Sequence, residues 1–272
     1  MPSLLENMPE CFEGNHEEFW SYEKYVSALE VWISYAMTVK PLHYTGAETI
    51  DVLSPIGYFC NHGIYPHYVH YSQLRLSDEN LVFPAVRDVA KNQEIMLSYG
   101  AKMNAELLLF YGFCLADNPY DALDITLDFE SLNGVEELNV RRRREKLLEK
   151  HGLTLNHAIQ KNAELPRDLV ATIRILCCEE KLVFLYDGDP RVREISMLSE
   201  AKASDALFTA LTSVKDAMLE KKKSEVQKEQ EQQHAWCLKQ CRIYESGLMS
   251  VIDSALEQTA IWRQNSSLAE KN

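Results

Sequence analysis

EIMLSYGAKMNAELLLFYGFCLADNPY, Glu94 to Tyr120, is the stretch on which the reading of this chain turns. It begins as a strand, Ile95 to Tyr99, apolar enough for burial on at least one face. Gly100 interrupts it, and Asn104 to Phe110 then reads as a short helix with Asn104 at the N-cap. Tyr111-Gly112-Phe113 follows, and Asn118-Pro119-Tyr120 closes the unit as a turn. A strand ending in a tyrosine, then a helix returning two more aromatics, can line a narrow aromatic cavity. Taken alone, the same rings also read as ordinary core, the commoner fate of clustered aromatics.

The order SYG, NAELLLFYGF, NPYD resembles the C-terminal half of a SET domain. It is most similar to the branch containing the Rubisco large-subunit methyltransferase and the actin-histidine methyltransferase. Upstream, Gly57-Tyr58-Phe59-Cys60-Asn61-His62-Gly63 resembles that branch's other hallmark, an Asn-His pair followed by a small residue. Two motifs in the right order, joined by LVFPAVRDVAKNQEIMLSYG, form a specific signal; Asn-His alone would carry none. The resemblance implies an α+β fold. A partial SET-domain β-fold with an inserted helical segment would occupy residues 1–130. An all-α substrate-binding domain, similar to that of the Rubisco enzyme, would follow over 131–272. ELPRDLVATIRILC and YESGLMSVIDSAL carry this second half, and together the two cover the chain from about Glu18 onward.

What the resemblance implies is transfer of a methyl group from S-adenosyl-L-methionine to a protein lysine, with histidine left open as acceptor. It gives Tyr99 the catalytic role, its hydroxyl beside the sulfonium methyl. The backbone of Asn61 and His62 would hold the donor, and the Asn61 side chain would fix a crossing of two chain segments. Phe113 would wall the adenine side and Tyr111 the acceptor channel. Ser34 matches the serine of a Ser-Arg-Ala-like step and is carried over as substrate-binding. A dry aromatic channel suits this chemistry, since desolvation favours the neutral amine and proximity supplies much of the rest.

Two positions depart from the pattern. Tyr35 stands where the family has an arginine that helps hold the donor, and Tyr58 where relatives often carry an aspartate. A tyrosine offers a hydroxyl and no positive charge, which implies weaker donor binding. A glycine-containing donor loop belongs upstream in this family, and nothing like it precedes Glu18. The chain therefore reads as a shortened form with weak or no turnover and open sheet edges. The competing reading is a non-catalytic fragment whose helical half binds a protein partner.

Composition narrows the classes. A net charge of -13 excludes a general nucleic-acid surface, because phosphate binding needs a basic face. Seven cysteines without regular spacing, and no secretory signal, point to a reducing intracellular compartment, cytoplasm or nucleus, with the chloroplast open to a full-length form. No apolar run approaches the roughly 20 residues of a membrane span. His234, Cys237 and Cys241 lack a fourth ligand, and His62, His67 and His70 lack supporting acids, so no metal is expected. The cysteine triplet that binds zinc after many histone-directed SET domains is also missing. The partner expected is a protein substrate, held partly by the helical half.

Elsewhere the pattern predicts a helix opened by Ser21, with Tyr25, Ala28, Leu29, Trp32 and Ala36 as a buried stripe. Strands are expected at Ile50–Leu53, Tyr65–Tyr71 and Leu81–Val86. Arg141 to Arg144 reads as a solvated helix face supported by nearby acids. Leu169, Ile173, Leu176 and Cys177 form an apolar helix face, and helical patterns run over 201–219 and 224–258. The helical half from about Val135 is expected to fold by itself.

Overall fold

The computed structural model describes residues 21–41, 49–55, 57–66, 75–77, 80–133, 137–192, 194–226 and 235–269. The chain divides into two compact units, Met1–Lys102 and Met103–Asn272.

In the first unit, helix α1 (Tyr22–Tyr35) starts where Ser21 Oγ accepts the Lys24 N–H at 3.3 Å, as its N-cap role requires. The chain passes directly into β1 (Ala36–Pro41), which pairs antiparallel with β2 (Ile50–Leu53). On its other side β1 pairs in parallel with β4 (Arg75–Ser77), itself antiparallel to β5 (Asn80–Val82). A separate parallel pair joins β3 (Asn61–His62) to β6 (Met96–Leu97). The core here is small: Met37, Val39 and Leu97, with Val52, Cys60, Leu81, Phe83 and Tyr99 packed against it.

Three expectations change in this unit. No residue of α1 is buried, and Tyr25, Leu29 and Trp32 are 50, 41 and 42% exposed. The core gathers around β1 and β6 and includes no residue of the helix. The strand expected over Ile95–Tyr99 is only two residues long, because β3 offers only two residues to pair with. The strand at Leu81 ends at Val82, just before Pro84, which has no N–H for a ladder. Of Tyr65–Tyr71, Tyr65 is exposed and not in a strand, and 67–71 lie outside the described residues.

The second unit runs α2 (Asn104–Tyr111), β7 (Ala122–Thr126), α3 (Phe129–Asn133), α4 (Leu138–Lys150), β8 (Asn156–Gln160), α5 (Arg167–Cys177), α6 (Glu180–Leu185), α7 (Met197–Val226) and α8 (Ala235–Ala269). Strands β7 and β8 pair antiparallel from Ala122 opposite Gln160 to Thr126 opposite Asn156. The class is α+β as expected, but β8 is a strand within the half read as wholly helical. Its single buried residue, Ile159, is too weak a pattern to announce it.

The predicted face of α5 is buried in full, in one core with Leu207 and Leu211 of α7 and Val251, Ile252 and Ala255 of α8. Helices α7 and α8 run antiparallel, with Asp205 paired to Arg263 at 2.5 Å and Lys215 to Asp253 at 2.6 Å. Arg174 of α5 grips the buried Glu200 carboxylate of α7, which also accepts the Trp262 indole N–H of α8 at 3.0 Å. One carboxylate thus joins three helices.

The arginine run is a correction. Arg144 is 2% exposed, and its guanidinium donates to the carbonyls of Ile175 and Cys178 at the end of α5. Four consecutive residues point round a helix and cannot all face water. Arg144 falls on the stripe of Val140, Leu147 and Leu148, all buried. Its charge is met by the electronegative C-terminus of α5.

Residues 103–130 pack within the second unit. The Asn104 N–H and Nδ2 donate to the two Asp121 carboxylate oxygens, each at 2.9 Å. The Cys114 N–H donates to Gln240 Oε1 of α8 at 2.7 Å. Burial raises the Asp121 carboxyl above its ordinary pKa, opposed by the Asn104 hydrogen bonds and by Lys161. Gly247 of α8 lies so close that a Cβ there would sit 2.2 Å from Asp121 Oδ2. No helix among the described residues is long and apolar enough to cross a membrane.

Two outcomes follow from this packing. Gly247→Ala should cost about 1–3 kcal/mol of stability, since Asp121 is held by Asn104 and cannot swing away. Denaturant unfolding reads it, and an unchanged midpoint would mean the contact relaxes freely. A fragment beginning at Met103 should melt cooperatively. One beginning at Val135, the half expected to fold by itself, loses β7 and α2 and should melt at a lower temperature.

Candidate active site

The parallel pairing of β3 and β6 sets Asn61 opposite Met96 and His62 opposite Leu97. The Gly63 N–H extends it, donating to the Leu97 carbonyl at 3.1 Å. A Cβ on Gly63 would meet the Met96 side chain at 3.2 Å, so the residue after Asn-His has to be small. Beyond the strand, the Tyr99 N–H donates to His62 Nδ1 at 3.0 Å. An accepting Nδ1 places the ring proton of the neutral imidazole on Nε2. The two rings stack, with centroids 5.1 Å apart and planes 23° apart. The Tyr99 hydroxyl donates to the Cys60 carbonyl at 2.9 Å. Asn61 Nδ2 donates to Glu94 Oε1 at 2.6 Å, tying β3 to the segment entering β6.

These contacts bring Asn61, His62 and Tyr99 into one corner of the first unit. His62 is buried and Tyr99 half-buried. Burial raises the Cys60 thiol above its ordinary pKa. Ser34 is half-buried at the end of α1, one residue before Tyr35.

Between β2 and β3 the chain makes a tight turn, Gly57–Phe59, with the Gly57 N–H donating to Ser54 Oγ at 3.2 Å. A Cβ at Gly57 would lie 2.7 Å from Met37 and 2.8 Å from Phe83. This close approach presents Tyr58 to Tyr35, their ring centroids 5.3 Å apart and tilted by 58°. The two departures from the family pattern are therefore neighbours.

Tyr111 and Phe113 belong to the second unit. They flank Gly112, whose φ of 75° is left-handed and ends α2 at no steric cost. Their rings lie 6.3 Å apart at 56°. Asn104 is not the cap: Met103 is, and its N–H donates to the Glu106 carboxylate at 3.1 Å. Asn104 is instead the first helical residue, with its side chain buried and bonded to Leu115 and Asp121. Two participants carried no side-chain signal in the sequence. One is the Cys60 carbonyl, a main-chain group; the other is Gln240, far away along the chain.

No family model matches the chain. In sequence it is similar to the ribosomal lysine N-methyltransferase set10 of Schizosaccharomyces pombe, 29% identical over 108 residues, which are 40% of this chain and 19% of that protein. In structure it is similar to Rubisco LSMT bound to AdoMet, with TM-score 0.60, 15% identity, and coverage of 91% of this chain and 57% of that one. The SET domain of LSMT bound to MeLysine and AdoHcy gives TM-score 0.62, 15% identity, and coverage of 98 and 61%. LSMT bound to sinefungin and monomethyllysine gives 0.60, 18% identity, and coverage of 97 and 58%. The chain thus spans about three fifths of these solved structures and a smaller share of the curated relative. The fold is that of the Rubisco enzyme's SET-domain structures, as the SYG and Asn-His motifs imply.

His62→Ala would remove both the acceptor of the Tyr99 N–H and the stacked ring. The expected cost is roughly 2–4 kcal/mol, from an unsatisfied amide and a lost aromatic contact. His62→Asn restores an oxygen near the Nδ1 position and should recover part of it. Equal unfolding midpoints for the two variants would show that the hydrogen bond contributes nothing.

Proposed function

We propose that this chain serves S-adenosylmethionine-dependent methylation of protein lysine. The observation that carries the reading is the corner in which β3–β6 pairing sets the Tyr99 hydroxyl on the Cys60 carbonyl, beside the Asn61-His62 backbone. The curated relative is named as a lysine N-methyltransferase, and two of the solved neighbours hold methyllysine or monomethyllysine, which supports the same chemistry.

The donor set fits one end of S-adenosylmethionine. When bound, that molecule supplies an electrophilic methyl group on a sulfonium. The adjacent oxygens of Tyr99 and Cys60 form a rim suited to C–H···O contacts, each of about 0.5–1 kcal/mol. Asn61 and His62 hold the donor through their backbone, while the His62 ring keeps Tyr99 in place. A low-dielectric corner also lowers a lysine's pKa, so the acceptor arrives as the neutral amine. The family resemblance assigns Ser34 and Tyr111 each to the acceptor and Phe113 to the adenine. Tyr35 supplies a hydroxyl where a charge would bind the donor carboxylate more strongly, so the donor is held weakly.

The division by role keeps a SET-type portion to about residue 130 and a helical substrate-binding portion from 131, although 103–130 pack with the helices. The partner is a protein presenting lysine, held in part by that helical portion.

Tyr99→Phe tests the assignment, in the 272-residue chain or in any longer polypeptide that carries it. Transfer of radiolabelled methyl to lysine peptides should fall at least about tenfold, the effect of 1.4 kcal/mol lost in the transition state. Thermal stability should change little, since one hydroxyl is removed and the ring stays. An unchanged rate would sink the role of Tyr99, and transfer to histidine peptides alone would sink lysine as the acceptor.

A further inference from the structure

A groove of about 380 Å³ opens in the first unit, lined by Val31, Tyr35, Leu53, Pro55, Tyr58 and Phe59. Tyr99 is not among its walls. Tyr58 is the middle of three rings: Tyr35 lies 5.3 Å away at 58°, and Phe59 lies 5.3 Å away at 64°. Rings set at such angles meet edge to face, so each contact covers one face and leaves the others to form a corner, whereas parallel stacking would cover a face of both rings. Phe59 is 79% and Tyr35 44% exposed, so those faces are within reach of a ligand.

Among the described residues the lining carries no charged side chain. A primary ammonium brings three N–H donors that need acceptors, and here the side chains offer only tyrosine hydroxyls. A methylated ammonium has no such demand and is attracted by the negative faces of aromatic rings. Charge on a larger scale agrees. The chain has a net charge of -13, and Asp51 shares a face of β2 with Leu53, its carboxylate accepting from Thr38 at 2.6 Å. A phosphate or carboxylate ligand would be repelled, and a basic peptide drawn in.

We propose that this groove binds a trimethylated lysine side chain, with Tyr35, Tyr58 and Phe59 as the aromatic walls. The preference for a methylated cation stands on the rings; the choice of a lysine side chain rests on the function proposed above. The groove would hold the methylated side chain, and Tyr99 is not among its walls. Tyr58 and Phe59 immediately precede Cys60-Asn61-His62, so a methylated peptide would be retained close to the proposed site of transfer.

Binding is measured on the whole chain without any methyl donor, so failure of methyl transfer leaves the result untouched. The probes are an alanine-rich peptide with one trimethyllysine, the same peptide with unmodified lysine, its neutral tert-butyl carbon isostere, and free choline. Calorimetry or ligand-observed NMR should show the trimethyllysine peptide bound at least about threefold more tightly than the lysine peptide and the isostere, the scale of an exposed cation–π contact. Phe59→Leu, at an exposed position, should keep the melting temperature and bring the trimethyllysine-to-isostere ratio to about one. Equal binding of peptide and isostere to the unmodified chain would overturn the cation preference, as would an unaltered ratio in Phe59→Leu. Choline binding as tightly as the peptide would overturn the lysine side chain as occupant, and absence of saturable binding would overturn the site.

Discussion

The Asn104 side chain has a partner for every polar group. Its Nδ2 donates to the Leu115 carbonyl and to Asp121, and its Oδ1 accepts from the Leu115 N–H and the Asn118 amide. A buried amide left with one bond unmade would cost about 1–3 kcal/mol, so these partners are compulsory. Their effect is to pin four points of one loop system: the start of α2, Leu115, the Asn118 turn and Asp121. Asp121 is in turn packed against Gly247 of α8, and Cys114 is tied to Gln240 of the same helix. Tyr111 and Phe113 lie between these anchors. The placement of two proposed site aromatics is therefore set by an asparagine and by a helix more than a hundred residues later in the chain.

The first unit is held differently. Its key strands are two residues each, too short for a ladder to stabilise them alone. Side chains supply the rest through the Tyr99 N–H to His62, the stacked rings, and the Asn61–Glu94 bond. The core beneath is only a handful of residues, while α1 and β2 leave apolar side chains in water. The second unit thus holds the large core, and the first concentrates polar contacts around one tyrosine.

What the sequence made legible was the motif-bearing corner and the helical periodicity. Asn61, His62 and Tyr99 meet as the motif order implies, and α5 buries the four residues its spacing selects. What it hid were features that depend on partners distant in sequence. The stripe of α1 has helical spacing, but spacing cannot say whether anything covers it. Arg144 looks like its three neighbours in the sequence, and only the carbonyls at the end of α5 distinguish it. Asn104 is a frequent cap residue by type, yet its bonds go to Leu115 and Asp121 instead. Tyr35 and Tyr58 were each legible as departures; that they touch was not.

The parallel pairing of β3 with β6 also has a consequence in time. Parallel strands need a crossover between them, and closing the intervening chain costs entropy before any contact repays it. The Tyr99 corner therefore closes only after the connection from Asn61 to Met96 has been ordered. The proposed catalytic tyrosine gains its hydrogen bond to Cys60 only once that connection has been made.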